Sequence, residues 1–183
     1  QKPGITYDGN GSVSVLGKQY DVMSGDEYRA LINERFASDP KFTEIVGSLG
    51  TANTNWQNQI YQNAYSQDHN ISVTGGYKNI PYRISGGYTN QNGILKTSNF
   101  QRFTGSLNIS PSFLDDHLKV NVNAKGMYVT NQYADQGAIG SAVAFDPTQP
   151  VYVNAEPYMS SYGGFYQTPT TPDNTFFGKL IFP

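Results

Sequence analysis

Apolar and polar residues alternate with a period of two along four stretches in the middle of the chain. That is the pattern of strands with one apolar and one polar face. His69 to Tyr77 sets Ile71, Val73 and Gly75 against Ser72 and Thr74. Tyr82 to Asn90 sets Tyr82, Ile84, Gly86 and Tyr88 against Arg83, Ser85, Gly87 and Thr89. Gln101 to Ile109 places Phe103, Gly105, Leu107 and Ile109 opposite Arg102, Thr104, Ser106 and Asn108. Leu118 to Tyr128 is the cleanest, with Leu118, Val120, Val122, Ala124, Gly126 and Tyr128 against Lys119, Asn121, Asn123, Lys125 and Met127. Ile5, Tyr7, Val13 and Val15 keep the same period near the start, where Gly9 and Gly11 weaken the strand or mark a bulge.

Between the first strand and the other four, the period lengthens to that of a helix. Tyr28, Leu31, Ile32 and Phe36 follow helical spacing behind Ser24-Gly25-Asp26-Glu27, a capping box in which Ser24 and Glu27 satisfy each other's backbone donors. Met23 and Tyr28 stand where a hydrophobic staple would, and Asp39-Pro40 closes the helix. A second helix is expected from Trp56 through Ile60 to Ala64. The pattern divides the chain into a first strand at 1–15, a helical insertion at 16–68, four antiparallel strands at 69–130 and a long loop at 131–183. That loop lacks clear periodicity, apart from a short helix expected at Ile139 to Ala144, and leads to the start of a further strand.

The strands run about 9–11 residues, the length that crosses a bilayer at a tilt, whereas soluble strands cluster near about 5–6. The connections alternate as well. The turns at 78–81 and 111–117 are short, while the insertion, the loop at 91–99 and the tail are long. Outer-membrane barrels have tight turns on one side and long loops on the other. The expectation is therefore an all-β fold with a short helical insertion, its antiparallel up-and-down strands forming part of a transmembrane β-barrel. In such a wall Arg83, Arg102, Lys119, Asn121, Asn123 and Lys125 face the lumen, because a Lys or Arg against lipid at mid-depth costs roughly 2–4 kcal/mol. Tyr77 and Tyr82 belong to the inner aromatic girdle, and Tyr88 and Tyr128 to the outer one. On periodicity alone a soluble carbohydrate-binding β-sandwich fits about as well, its apolar face packed on a second sheet. A surface-loop or adhesin module is a third option.

Composition narrows the function. The 12 basic and 14 acidic residues give a net charge of −2 with no basic stripe, so no nucleic acid is expected as a partner. The mean hydropathy of −0.51 excludes a helical membrane protein but not a barrel, whose alternation averages out as hydrophilic. The absence of cysteine removes disulfides and thiolate sites, and two histidines, His69 and His117, make a histidine-rich metal site an unfavoured reading. The chain opens at Gln1 without a signal-peptide pattern and stops after the aromatic run Phe176 to Pro183, which suggests a piece of something longer.

Five segments, in order, carry a resemblance. Ser24 to Asn33 resembles an "S-x-x-E-Y" helix. Thr54-Asn55-Trp56-Gln57-Asn58-Gln59-Ile60 looks like "T-N/D-W-Q-D-x-I/L", and Ser66 to Gly76 like "S-x-x-H-N-L-S-V-S-G-G". Tyr88 to Phe100 is similar to "Y-x-x-Q-x-G-I-L-x-x-S-x-F", and Asp146 to Tyr152 to "D-P-T-x-P-V-Y". Together they resemble the SusC/RagA branch of TonB-dependent transporters across most of residues 1–155. The resemblance implies a bacterial outer-membrane location and a complete protein with a barrel of about 22 strands, even-numbered as such barrels are. It also implies an N-terminal plug, coupling to TonB–ExbB–ExbD, and a SusD-like surface lipoprotein that binds glycan or peptide.

Enzymatic chemistry is not expected. Asp26-Glu27 is better read as a helix cap and Asp115-Asp116 as a turn than as the carboxylate pair of a glycosidase. No nucleophile elbow or phosphate loop occurs, and no cofactor is implied. The aromatics Tyr152, Tyr158, Tyr162, Phe165 and Tyr166 have two readings. They either stack on sugar rings, or pack loops together or face the lid protein, and the second is favoured.

Overall fold

The computed structural model describes residues 3–36, 38–39, 43–78, 80–115 and 117–167. In chain order the elements are β1 (Gly4–Ser14), α1 (Gly25–Phe36), α2 (Thr43–Ser48), α3 (Trp56–Ile60), β2 (Ala64–Tyr77), β3 (Ile80–Asn92) and β4 (Asn99–Ile109). There follow β5 (Ser112–Phe113), β6 (Leu118–Lys119), β7 (Val122–Gln132), α4 (Gly137–Ala144) and α5 (Tyr158–Tyr162). They group into two compact units, one of residues 1–16 and 62–134, the other of 17–61 and 135–183.

The first unit is an antiparallel sheet in the order β1-β2-β3-β4-β7, each long strand paired with the next along the chain. The register runs without a slip. Ile5 faces Val73, Val73 faces Ile84, Ile84 faces Leu107 and Leu107 faces Ala124. Opposed residues share a face, so the apolar phases of all five strands coincide. Gly9 and Gly11 make no bulge and pair in register with His69 and Gln67. Gly9 instead leaves room for Tyr7, whose Oη would come within 2.7 Å of a Cβ placed there.

Several strands are longer than the alternation suggested. β2 begins at Ala64 rather than His69, and β3 and β4 close on a loop of only 93–98, where the Gly93 N–H donates to Ser98 O at 2.9 Å. The stretch expected as one strand from Leu118 is broken. Leu118 pairs with Phe113 in a separate two-stranded hairpin, and the Val120 N–H donates to Pro111 O at 3.0 Å, so β7 starts only at Val122. β7 then runs to Gln132, past the expected end. An 11-residue strand such as β7, at about 3.4 Å per residue and a tilt near 40°, stands roughly 28 Å tall, close to a barrel's apolar band of about 25 Å.

The apolar phase of this sheet is not buried as it would be in a water-soluble core. Ser72 and Thr89, on the polar phase, are buried. On the apolar phase Ile5 is 72% exposed and Tyr128 68%, and Ile71, Ile84, Phe103 and Val122 are each about half exposed. No second sheet covers this face among the described residues of the unit. The fold is thus a run of barrel-wall strands.

The second unit is helical, and its interior is joined by polar contacts. Glu27 closes the capping box of α1, its carboxylate accepting from the Ser24 N–H and hydroxyl at 2.8 Å each, and the Glu27 N–H donates to Ser24 Oγ at 3.3 Å. These bonds favour the ionised carboxylate and hold its pKa below the usual value. α2 and α5, both short, have no counterpart in the sequence periodicity. α3 ends at Ile60, where the Tyr61 N–H still donates to Gln57 O, so Ala64 belongs to a strand and not to a helix.

Candidate functional site

Two places bring polar side chains together, one in each unit. The first is the polar face of the sheet. Its strand phases put Asp8 and Asn10 of β1, Asp68 and Asn70 of β2, Thr89 of β3, Arg102 of β4 and Lys125 of β7 around one concavity of about 740 Å³. Thr89 links two of the charges. Its hydroxyl donates to Asp68 Oδ1 at 2.5 Å and accepts from Arg102 Nη2 at 3.2 Å. The guanidinium also lies 5.9 Å from the Phe100 ring. Acidic groups therefore stand on the β1–β2 side and basic ones on the β4–β7 side, with small residues such as Ser85 and Gly87 as the floor between them. A surface of this kind can bind a polar, hydrated or dipolar occupant. Its groups show no nucleophile-and-base arrangement.

Of the residues expected to line water, Arg83, Arg102, Asn123 and Lys125 lie on this polar phase, with Arg83 opposite Asn108 and Asn108 opposite Asn123. Arg102 and Lys125 meet in the concavity, whereas Arg83 and Asn123 are nearer the short turns. Asn121 precedes β7 and accepts a bond from Ser110 Oγ at 3.4 Å. Lys119 pairs with Ser112 in the small hairpin, outside the five-stranded sheet, because the break at 120–121 interrupts the phase. Asp8, Asn10, Asp68 and Thr89 were not singled out as lumen residues from the sequence. Asp68 lay in a stretch assigned to the insertion, yet it extends the phase of Asn70 and Ser72, and that alternation was the signal.

The opposite face carries aromatic residues in rows. Tyr88 faces Phe103, with ring centroids 4.8 Å apart, and Phe103 faces Tyr128. His69, for which the sequence offered no partner, lies opposite Gly9, and its Nδ1 is 2.6 Å from Tyr7 Oη. Tyr82 lies over Gly75, where an added Cβ would meet the phenol at 2.5 Å.

The second place is a latch in the helical unit, built from two of the segments singled out in the sequence. Asp146 folds over its own turn, its Oδ1 accepting from the Thr148 N–H at 2.8 Å and from the Thr148 hydroxyl at 2.7 Å. The Pro147-Thr148-Gln149 backbone then receives the segment before α3. Thr54 N–H donates to Pro147 O at 2.8 Å, Ala52 N–H to Thr148 O at 2.9 Å, and the Thr54 hydroxyl to Gln149 O at 2.6 Å. Gly50 N–H reaches Thr148 Oγ1, Gln149 Nε2 reaches Ser48 O, and Trp56 Nε1 donates to Asp146 O at 2.8 Å. Gln57, also buried, exchanges two bonds with the backbone of Tyr20. Arg29 ties α1 to the carbonyls of Gly50 and Ala52 while pairing with Asp26. No buried side-chain polar atom among the described residues is left without a partner.

Both carboxylates of Asp26-Glu27 are engaged in these helix contacts. Asp115 sits in a turn at φ 53°, and Asp116 lies outside the described residues. No cluster of metal-ligating residues occurs among the described residues. The tail aromatics fall into two sets. Trp56, Phe145, Tyr166 and Tyr158 form a chain of ring contacts, with centroid distances of 4.7, 6.2 and 5.9 Å. Burial, with Tyr158 and Asp146 nearby, pushes the Tyr166 phenol up to about 12. Tyr152 and Phe165 form a separate pair 4.5 Å apart, and Tyr162 is exposed. The aromatic run Phe176 to Pro183 lies outside the described residues.

No family model matches the chain. Among curated relatives, it is 54% identical over 168 residues to the TonB-dependent receptor SusC of Bacteroides thetaiotaomicron, covering 91% of this chain and 16% of that receptor. Two TonB-dependent receptors of Formosa agariphila match at 32% identity over 172 residues and 29% over 128. They are covered to 17% and 12% of their lengths, so the chain spans about a sixth or less of each relative. Among solved structures, the RagAB peptide importer in its open-open and closed-closed states shares the fold at a TM-score of 0.55, with 19% and 20% identity over 74% of this chain and 18% of that one. A run of barrel-wall strands with one exposed apolar face, on a chain related in sequence over nine-tenths of its length to one such receptor, places the chain in the SusC/RagA-type family of TonB-dependent outer-membrane transporters.

Proposed function

We propose that the chain forms barrel wall and external loops of a transporter that imports glycan oligosaccharides, or peptides, together with a SusD-like surface lipoprotein. In this reading residues 1–15 and the strands of 69–130 belong to the wall, with β2 entering it from Ala64, and 16–68 and 131–183 are external. Parts of the protein beyond this stretch supply the plug and the coupling to TonB–ExbB–ExbD. Arg83, Arg102, Asn123 and Lys125 face the water-filled interior, and Lys119 and Asn121 sit at its inner rim. Tyr88 and Tyr128 anchor the outer lipid interface and Tyr77 and Tyr82 the inner one. RagAB, which shares the fold, is described as a peptide importer.

The observation that carries the reading is the continuous exposed apolar face of the sheet. Aliphatic and aromatic residues are exposed in register over all five strands, and in the middle of the sheet Ser72 and Thr89 of the opposite phase are buried. Leaving such a face in water is unfavourable by about 25 cal/mol for each Å² of apolar surface, a cost that hydrocarbon removes. The test uses single cysteines at 122–130 in the full-length protein in outer membranes. Water-soluble maleimide is expected to reach Asn123→Cys and Lys125→Cys, and a lipid-dissolved label Val122→Cys and Ala124→Cys. Equal protection of both phases would sink the proposal.

A further inference from the structure

The five tail aromatics do not share one role, and we infer that Tyr152, backed by Phe165, is a stacking platform for a neutral saccharide. The inference rests on the reading of this region as the outer part of an importer. Three backbone features fix the platform. Tyr152 and Phe165 face each other across a β-bridge, the Val153 N–H donates to Gly164 O at 2.8 Å, and the Tyr166 N–H donates to Val151 O at 3.0 Å. Gly163 and Gly164 turn the chain at φ 61° and 86°, a conformation that side chains disfavour. Gly164 lies against the ring and against Met159. A Cβ there would stand 3.5 Å from Tyr152 Cδ1 and 3.0 Å from Met159 Sδ. Tyr152 is nevertheless 61% exposed. Its ring is therefore held in place while still open to solvent, so little conformational freedom remains to be lost on binding.

The chemistry of the hairpin selects the ligand. Residues 150–167 contain no Lys, Arg or His, and Glu156 is their only charge. The Glu156 carboxylate already accepts from the Ser160 hydroxyl at 2.5 Å and from its N–H at 3.3 Å. Nothing here would neutralise a phosphate, a uronic acid or a peptide carboxylate. Sugar rings present C–H faces to an aromatic plane, and the same hairpin carries the neutral polar residues Asn154 and Ser161. Tyr158 and Tyr166, stacked on each other at 12° and joined to Phe145, are packing residues.

The experiment applies the full-length transporter in detergent to an array of neutral oligosaccharides, uronic-acid oligosaccharides and peptides. Neutral sugars are expected to be retained. Tyr152→Ala should weaken that retention roughly tenfold, and Tyr152→Phe, which keeps the ring and guards against misfolding, should stay within about threefold of the parent. Unchanged retention in Tyr152→Ala overturns the inference, as does retention confined to acidic sugars or peptides. So does a loss seen only in capture of the lipoprotein partner. The cysteine labelling described above is read in the same preparations. Intact lipid and water phases with no neutral sugar retained refute the platform alone, whereas lost phases refute the transporter reading itself.

Discussion

The sheet and the helical unit solve opposite problems. The sheet exposes its apolar side chains and buries Ser72 and Thr89 of its polar phase, a pattern that suits a wall between hydrocarbon and water. The helical unit buries Trp56, Ile60 and Ala142 in the ordinary way, but Gln57, Thr148 and Gln149 are buried with them. The difference shows that burial alone does not identify a core. In the sheet, backbone pairing closes the structure and side chains are sorted by solvent. In the helical unit, two segments some 90 residues apart are joined by side chains that must all find partners, because an unpaired buried polar group costs about 1–3 kcal/mol.

Substitutions in the full-length protein can break this contrast. The largest effect is expected from Leu107→Arg, mid-height on the apolar face, which should lower the stability of the barrel in lipid by roughly 2–4 kcal/mol. Ser106→Arg, one residue away on the polar face, should change it by less than about 1 kcal/mol. Urea unfolding in vesicles, followed by heat-dependent gel mobility, compares them, and equal losses would mean that the two faces see the same solvent. Next is Gly50→Ala. Its methyl would lie 2.1 Å from Thr148 O, so the latch has to shift, at about 1–3 kcal/mol. Hydrogen exchange should quicken at Ala52 and Thr54 and stay unchanged in β3 and β4. Thr148→Val keeps the shape but removes the hydroxyl that receives Gly50 N–H and donates to Asp146. A loss of about 1–2 kcal/mol in the same exchange signal is expected.

The smallest effects come from pH. Glu27 has a depressed pKa, so its cap is fully stabilising above the ordinary value of 4.5 and is lost as pH falls below it through the folded-state value. Glu27→Gln should flatten that acid limb in exchange at the start of α1. Tyr166 has a raised pKa, so its contribution is intact below pH 10.0 and is lost as pH rises from there to about 12. Ultraviolet titration of the parent against Tyr166→Phe should show one phenol missing from the high-pH end.

The two regions also differ in how far the chain alone announces them. Alternation in 82–90 and 101–109 is a local property, since each residue's face follows from its parity, so the strands and the polar set with Arg102 and Lys125 could be read directly. The boundaries could not. Ala64 to Asp68 keeps the parity of a strand, but its polar residues and the preceding α3 disguise it. The break at Val120 is set by Leu118 pairing back to Phe113, a competition that period counting does not see. In the candidate site, the charges Asp68 and Arg102 are 34 positions apart, and only the register that sets both strands against β3 gives them Thr89 in common.

The motifs around Trp56 and Asp146 were visible as letters, and they marked the family before any contact was known. Their purpose was not visible, because a hydrogen bond between Trp56 and the Asp146 carbonyl depends on the whole path between them. The same holds for Tyr152 and Tyr158, which look alike in sequence and differ only in what their rings meet. By itself the order of residues determined what repeats within a few positions: strand phase, helix cap, likeness to a family. Tertiary structure decided everything that requires distant residues to meet, namely which polar groups pair, which aromatic ring stays open, and where a strand stops. The physical reason is that parity and capping act over one turn or one pleat, whereas burial and pairing are settled only when separate segments share the same space.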